Sequence, residues 1–245
     1  MKKLSAFPIL ALSVLVLLLA GRLPGSARAA DIVLQSTPQR VGLLELYTSE
    51  GCSSCPPAEA WLSTLKQDPG LWKNYVPVNF HVTYWDNLGW PDRYAAPEYT
   101  TRQYAFAASW HSQTVYTPEF ILNGQEWQRY DVPVASAVSA GVLQATLDGK
   151  RNLALTYTPV ATGKKWEAHV ALLGFDLDTS VRAGENSGLT LHHDFVVLSL
   201  QDLKLGDQET SLALAAARPG EKAIAIWVTE ENQVEPVQTV GGWLK

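Results

Sequence analysis

Cys52 and Cys55 are the only cysteines in the 245-residue chain, and they lie three positions apart. No other feature limits the chain's options as much. A disulfide that closes so small a ring stabilises by roughly 2 kcal/mol on loop-entropy grounds, against about 3 kcal/mol for a fifteen-residue loop. As a staple the pair would contribute little, so its surroundings decide what it is for. Residues 41–47 (Val-Gly-Leu-Leu-Glu-Leu-Tyr) are an apolar run with one acid in it and read as a largely buried strand. Residues 48–51 read as a turn and 52–67 as a helix. Pro56 and Pro57 fit only the first helical turn, where a missing N–H costs nothing. Trp61, Leu62 and Leu65 supply an apolar stripe, and Asp68-Pro69-Gly70 ends it.

The pair therefore falls between a strand and a helix N-terminus. Unpaired amides there carry partial positive charge and stabilise a thiolate. Cysteines so placed have lowered pKa values and attack disulfides readily. A second sulfur one turn away can resolve the mixed disulfide. Cys52 is the candidate nucleophile and Cys55 the candidate resolving thiol.

Further along, residues 76–82 predict a second strand, followed by an aromatic loop with Tyr84, Trp85, Asp86 and Trp90. Residues 97–110 predict a helix. Residues 115–124 combine Pro118, an apolar strand and the Asn123-Gly124 hairpin signal, with a partner strand opening at 126–129. Residues 132–147 have helical spacing. Beyond Lys150 the pattern changes to strand-like runs at 153–158, 166–175, 189–200 and 223–230, with alternation in Ile224, Ile226 and Val228. This predicts antiparallel β structure in 151–245 after a first domain over 30–150, with the boundary near 148–152.

The first 29 residues are unlike the rest. A Lys2-Lys3 start, an apolar run over about residues 6–20 and a small-residue Ala27-Arg28-Ala29 motif predict a cleaved secretory signal. The run is shorter than the roughly 20 residues a spanning helix needs, so no permanent membrane span is expected after cleavage. Removing residues 1–29 takes away four cations and moves the formal charge from −5 to about −9. That balance argues against a nucleic-acid partner, which calls for a clustered basic surface. The expected location is periplasmic or secreted.

Residues 41–47, the Cys52-Ser53-Ser54-Cys55-Pro56 segment and residues 116–124 together resemble the thioredoxin superfamily. The resemblance implies a cis-proline at Thr117-Pro118 facing the cysteines, with the backbone of Thr117 binding a client peptide by strand addition. It also marks Glu45 as a candidate for proton transfer, although its spacing to Cys52 is one residue too long. The familiar Trp before the first cysteine and the Gly-Pro between the pair are absent, and residues 84–110 look inserted. Residues 46–59, the Tyr84-Trp85-Asp86 region and residues 184–191 are similar to a family of secreted thioredoxin-like proteins, the domain of unknown function 1223. The fold so implied is an α/β thioredoxin-like domain followed by a smaller antiparallel, sandwich-like β-rich domain.

The expected function is thiol–disulfide exchange with protein thiol or disulfide clients or a redox partner protein, with no cofactor and no resident metal. Two alternatives stand beside it. A copper- or zinc-binding metallochaperone-like module could use the thiolates with one of His81, His111, His169, His192 or His193, although His192 and His193 point to opposite faces of a strand. A binding module could use the disulfide only to rigidify its loop. The aromatic stretch from Tyr84 to Tyr116 reads as core packing or as a client groove. Residues 184–188 (Gly-Glu-Asn-Ser-Gly) read as a structural turn or as an interdomain hydrogen-bond network. No Ser-His-Asp, paired-carboxylate or phosphate-loop pattern stands out, and no G-x-S-x-G elbow surrounds Ser53 or Ser54.

Overall fold

The computed structural model describes residues 31–128 and 130–244. The secretory signal expected over 1–29 lies outside the described residues, as does Arg129 at the end of the expected hairpin partner.

Strand dominates. β-structure accounts for 42% and helix for 13%, and only two short α-helices are present among the described residues. In chain order the strands are β1 (Ile32–Gln35), β2 (Gly42–Thr48), β3 (Tyr75–His81), β4 (Glu119–Leu122), β5 (Gln125–Glu126), β6 (Val142–Leu147) and β7 (Asn152–Thr158). They continue as β8 (Trp166–Gly174), β9 (Leu177–Ser180), β10 (Thr190–His193), β11 (Val196–Leu205), β12 (Thr210–Ala213), β13 (Glu221–Glu230) and β14 (Pro236–Trp243). The helices are α1 (Pro56–Thr64) and α2 (Pro97–Ser109).

The expected α/β thioredoxin-like fold is overturned by this content and by the sheets. An eight-stranded mixed sheet runs β14-β13-β8-β11-β3-β2-β4-β5, so strands from both sides of residue 150 share one ladder. Its seam is narrow: β11 meets β3 in parallel at Val196 and Asn79, and the Asn79 N–H donates to the Phe195 carbonyl. A four-stranded sheet, β1-β6-β7-β12, likewise mixes early and late strands. β3 and β6 each have an edge met by a strand from beyond residue 150, β11 and β7, which a reading of local periodicity cannot register.

The two faces of β13 show how the layers are built. Ala223, Ala225 and Trp227 join a core with β2, β3, α1 and α2, while Ile224, Ile226 and Val228 join a second core with β6 and β7. The side-chain period of two delivers alternate residues to the two layers. Gln238 on β14 ties the layers together. Its carbonyl accepts from the Val41 N–H at 2.9 Å, and its amide donates to the carbonyls of Thr37, Gln39 and Gly141.

Local expectations fare unevenly. The helix expected over 132–147 is a further correction: residues 142–147 form β6 and alternate between half-buried and buried. Val132, Val134 and Val138, which made the pattern look helical, are exposed. The expected strand over 189–200 breaks at Phe195, whose φ is 58°, into β10 and β11. The expected hairpin is present. Asn123 and Gly124 both have positive φ, 53° and 82°, as a two-residue primed turn requires.

Candidate functional site

Strand β2 leads directly into the cysteine loop, and α1 begins at Pro56 with the proline pair in its first turn and Cys55 at its N-cap. Cys52 and Cys55 are joined in a disulfide with Cα atoms 5.4 Å apart. The Cys55 carbonyl accepts from the N–H groups of Ala58 and Glu59, which anchors the loop to the first turn of α1. Both cysteines are fully buried, while Ser53 and Ser54 between them are exposed.

Thr117 and Pro118, joined by a cis peptide bond, lie beside this loop. Ser54 Oγ is 3.4 Å from Cys52 Sγ and 3.5 Å from the Thr117 carbonyl, so one hydroxyl links the two predicted substrate-facing segments. The Trp85 indole donates to Thr117 Oγ1 at 2.8 Å and fixes the approach to the proline. A cavity of about 460 Å³ adjoins this segment, lined in part by Trp110, Tyr116 and Glu119. Burial, with the charges of Glu126 and Glu45 beside it, raises the Glu119 carboxyl to about 7 against an opposing hydrogen bond from Gln103.

Glu45 has a different setting. Its carboxylate takes a bidentate pair of bonds from Arg102 on α2, at 2.7 and 2.9 Å, and a bond from the Tyr47 hydroxyl at 2.9 Å. Burial would tend to strip Arg102 of its proton, but the Glu45 charge more than offsets this, and the guanidinium stays charged. Among the described residues, no hydrogen bond joins Glu45 to the cysteines.

The turn at 184–188 lies against the cysteine loop. Buried Asn186 donates from one amide nitrogen to the carbonyls of Glu50 and Cys52, both at 2.9 Å. The Glu185 carboxylate accepts from the Ser53 N–H at 3.2 Å, and that bond, together with the Ser53 side chain, holds its pKa below the usual range. Gly184 and Gly188, with φ of 75° and 88°, allow the tight path. The hydrogen-bond network foreseen as an alternative for this turn is therefore formed, and it runs to the cysteine loop itself.

A second group joins His81 and His193, named above only as candidate partners of the thiolates, to acids that the sequence reading did not single out. His81 ends β3, His193 ends β10, and Glu50 and Glu59 flank the cysteines; all four side chains are buried. His193 Nδ1 is 2.5 Å from Glu59 Oε2, and its Nε2 is 3.4 Å from Glu50 Oε1. Burial alone would lower the His193 pKa, but the charge of Glu59, reinforced by Glu50, raises it to about 10. Burial tends to raise the Glu59 pKa, yet His193 and hydrogen bonding bring it below the ordinary carboxylate value. His81 Nδ1 is 2.6 Å from Asp92 Oδ2, and the two imidazoles meet edge to face with centroids 5.1 Å apart. The Trp90 indole donates to Glu50 Oε2 at 2.6 Å. His81 and His193 are 112 positions apart on strands of different sheets, so no spacing rule could pair them. By contrast, His192 is half exposed beside Asp178. The alternation of β10 does separate the two adjacent histidines.

Among the described residues, no helix is long and apolar enough to cross a membrane. Protein AGR_C_4864 from Agrobacterium tumefaciens shares the fold, with a TM-score of 0.60 and 23% identity over 85% of this chain and 96% of that one. HBP35 of Porphyromonas gingivalis is similar at a TM-score of 0.53 and 11% identity, over 85% of this chain and 76% of that one. Comparison with curated proteins finds no match. Residues 43–229 match the family described as protein of unknown function (DUF1223), a span that takes in the cysteine loop, Thr117-Pro118 and the 184–188 turn. The chain belongs to the DUF1223 family.

Proposed function

We propose that this chain is an exported thiol–disulfide exchange protein that acts on protein thiols in a periplasmic or secreted setting. The observation that carries the reading is the placement of the Cys52–Cys55 disulfide at the head of α1, linked through Ser54 to the Thr117 carbonyl beside Pro118. In the reduced form, the Cys52 thiolate attacks a client disulfide. A mixed disulfide forms, and one client sulfur leaves as a thiolate that takes up a proton. Cys55 then loses its proton and attacks Cys52 Sγ. The second client thiol is released, the Cys52–Cys55 bond re-forms, and two electrons have passed to the client. The same steps in reverse oxidise a client dithiol. The amides at the start of α1 favour the Cys52 thiolate. An extended client segment can pair with the Thr117 backbone, and the neighbouring cavity can take its side chains.

The full burial of both cysteines favours a second reading, in which the disulfide only braces the loop. One experiment separates the two. A Cys55→Ala variant is expected to accumulate mixed disulfides through Cys52, and the Cys52 thiol is expected to titrate below a free thiol's pKa of about 8.5. If Cys52 neither traps a client nor titrates below that value, the exchange reading fails and the bracing one stands.

A further inference from the structure

The buried group formed by Glu50, Glu59, His81 and His193 is not used by the exchange chemistry, and its donor arrangement is specific. Glu59, His81 and His193 each bring one nitrogen or oxygen donor within 4.8 Å of the others, and Glu50 Oε1 is 3.4 Å from His193 Nε2. Two atoms at about 2.0–2.1 Å from one tetrahedral zinc ion would stand at a similar separation. Among the described residues, His81 Nε2 is buried without a hydrogen-bond partner, and His193 Nε2 and Glu50 Oε1 have only each other, at 3.4 Å. Leaving a buried polar atom unpaired is costly, and one ion among these donors would satisfy all three. The other ring nitrogen of each histidine rests on a carboxylate, His81 on Asp92 at 2.6 Å and His193 on Glu59 at 2.5 Å. Metal-ligating histidines have this outer support, because the carboxylate fixes the ring orientation and leaves Nε2 to face the ion.

Charge points the same way. Glu50, Glu59 and Asp92 place three carboxylates in one buried region, and no lysine or arginine pairs with them among the described residues. The more exposed group of Asp176, His192 and Asp194 differs, because Lys66 bonds both acids and Lys222 bonds Asp176. A route into the buried group exists. A cavity of about 320 Å³, lined by Pro56, Ala60, Leu191 and His192, has Glu59 and His193 in its wall.

From this geometry we infer a divalent transition-metal site of the zinc class, held by the imidazoles of His81 and His193 with carboxylate ligation from Glu50 or Glu59. Mixed nitrogen and oxygen donors suit zinc, and the site needs neither cysteine. It would clamp the end of β3, the loop before Cys52, α1 and β10 to one another.

The test uses the chain with its disulfide intact, stripped of metal and titrated with zinc, and with cobalt(II) as a spectroscopic stand-in. One equivalent of zinc per chain is expected, with a rise in melting temperature and cobalt absorption typical of a four-coordinate nitrogen–oxygen site. Asp92→Asn should weaken zinc binding about 10- to 100-fold by removing outer support for His81. His81→Gln should abolish stoichiometric binding, as should His193→Gln where that variant folds. The Cys52→Ser, Cys55→Ser double variant should bind as the parent does. The site is overturned if the folded parent takes up no stoichiometric zinc, if His81→Gln binds as well as the parent, or if binding is lost with the cysteines.

Discussion

Arg102 shows how much one buried charge can depend on one partner. Its guanidinium lies against the rings of Phe80, Phe106 and Trp227 and forms two bonds to Glu45. Arg102→Ala strands the Glu45 carboxylate in that setting and should cost about 3–5 kcal/mol, measured by denaturant unfolding. Glu45→Leu with Arg102→Met, which removes both charges at similar volume, should recover most of the loss. The sequence marked Glu45 only through the thioredoxin resemblance, as a candidate for proton transfer. It could not show that a helix 57 positions later supplies the counter-charge. Glu119 offers a pH handle. Its folded-state pKa of about 7 exceeds the ordinary carboxyl value of 4.5, so between those values the folded state binds more protons than the unfolded state. Stability should therefore fall as pH rises through this window. In Glu119→Gln this part of the pH dependence should be absent.

At the scale of elements, those held by nearby residues were legible and those held by distant ones were not. Pro56 and Pro57 announce the start of α1, and Asn123-Gly124 announces the β4–β5 turn, because each acts through its own backbone angles. β6 was misread because its valine-rich approach mimics a helical stripe, and its alternation has meaning only with β7 and β1 on either side. In the candidate site, Cys52 and Cys55 were singled out from motif chemistry, and Thr117 and Pro118 from the resemblance. For Asn186 the sequence left a turn and a hydrogen-bond network both open, because its bonds cross 134 and 136 positions. That element carries a prediction of its own. The 184–188 turn bonds the Cys52 carbonyl and the Ser53 N–H and so braces the cysteine loop, and Asn186→Ala should speed reduction of the Cys52–Cys55 disulfide by dithiothreitol. The same variant should lower stability by about 1–3 kcal/mol, because two buried carbonyls lose their donor. An unchanged reduction rate in a folded variant would contradict the role given to the turn.

At the scale of the whole molecule, the eight-stranded sheet binds together what the composition divides. β3 pairs with β2 on one edge and meets β11 on the other, and Trp227 from β13 packs on Phe80 of β3. Calorimetry of the full chain should accordingly show one cooperative transition, and residues 31–150 expressed alone should not unfold cooperatively. Two separable transitions would show that the narrow β11–β3 seam does not couple the halves. Trp227 is fully buried, stacked on His169 and covered by Arg102, so Trp227→Ala should cost about 3–5 kcal/mol and lower the single transition as a unit.

The tie made by Gln238 also sets an order in time. Val41, at the entrance to the cysteine-bearing strand, donates its N–H to a side chain 197 positions further on. During synthesis from the N-terminus, the cysteines emerge long before that acceptor exists. The loop they occupy can therefore oxidise while the chain is still pliable, and the strand leading into it is locked only when β14 arrives. Protection of the Val41 amide from hydrogen exchange should accordingly be lost in a chain that ends before β14. A chain built this way remains open until nearly all of it has been made.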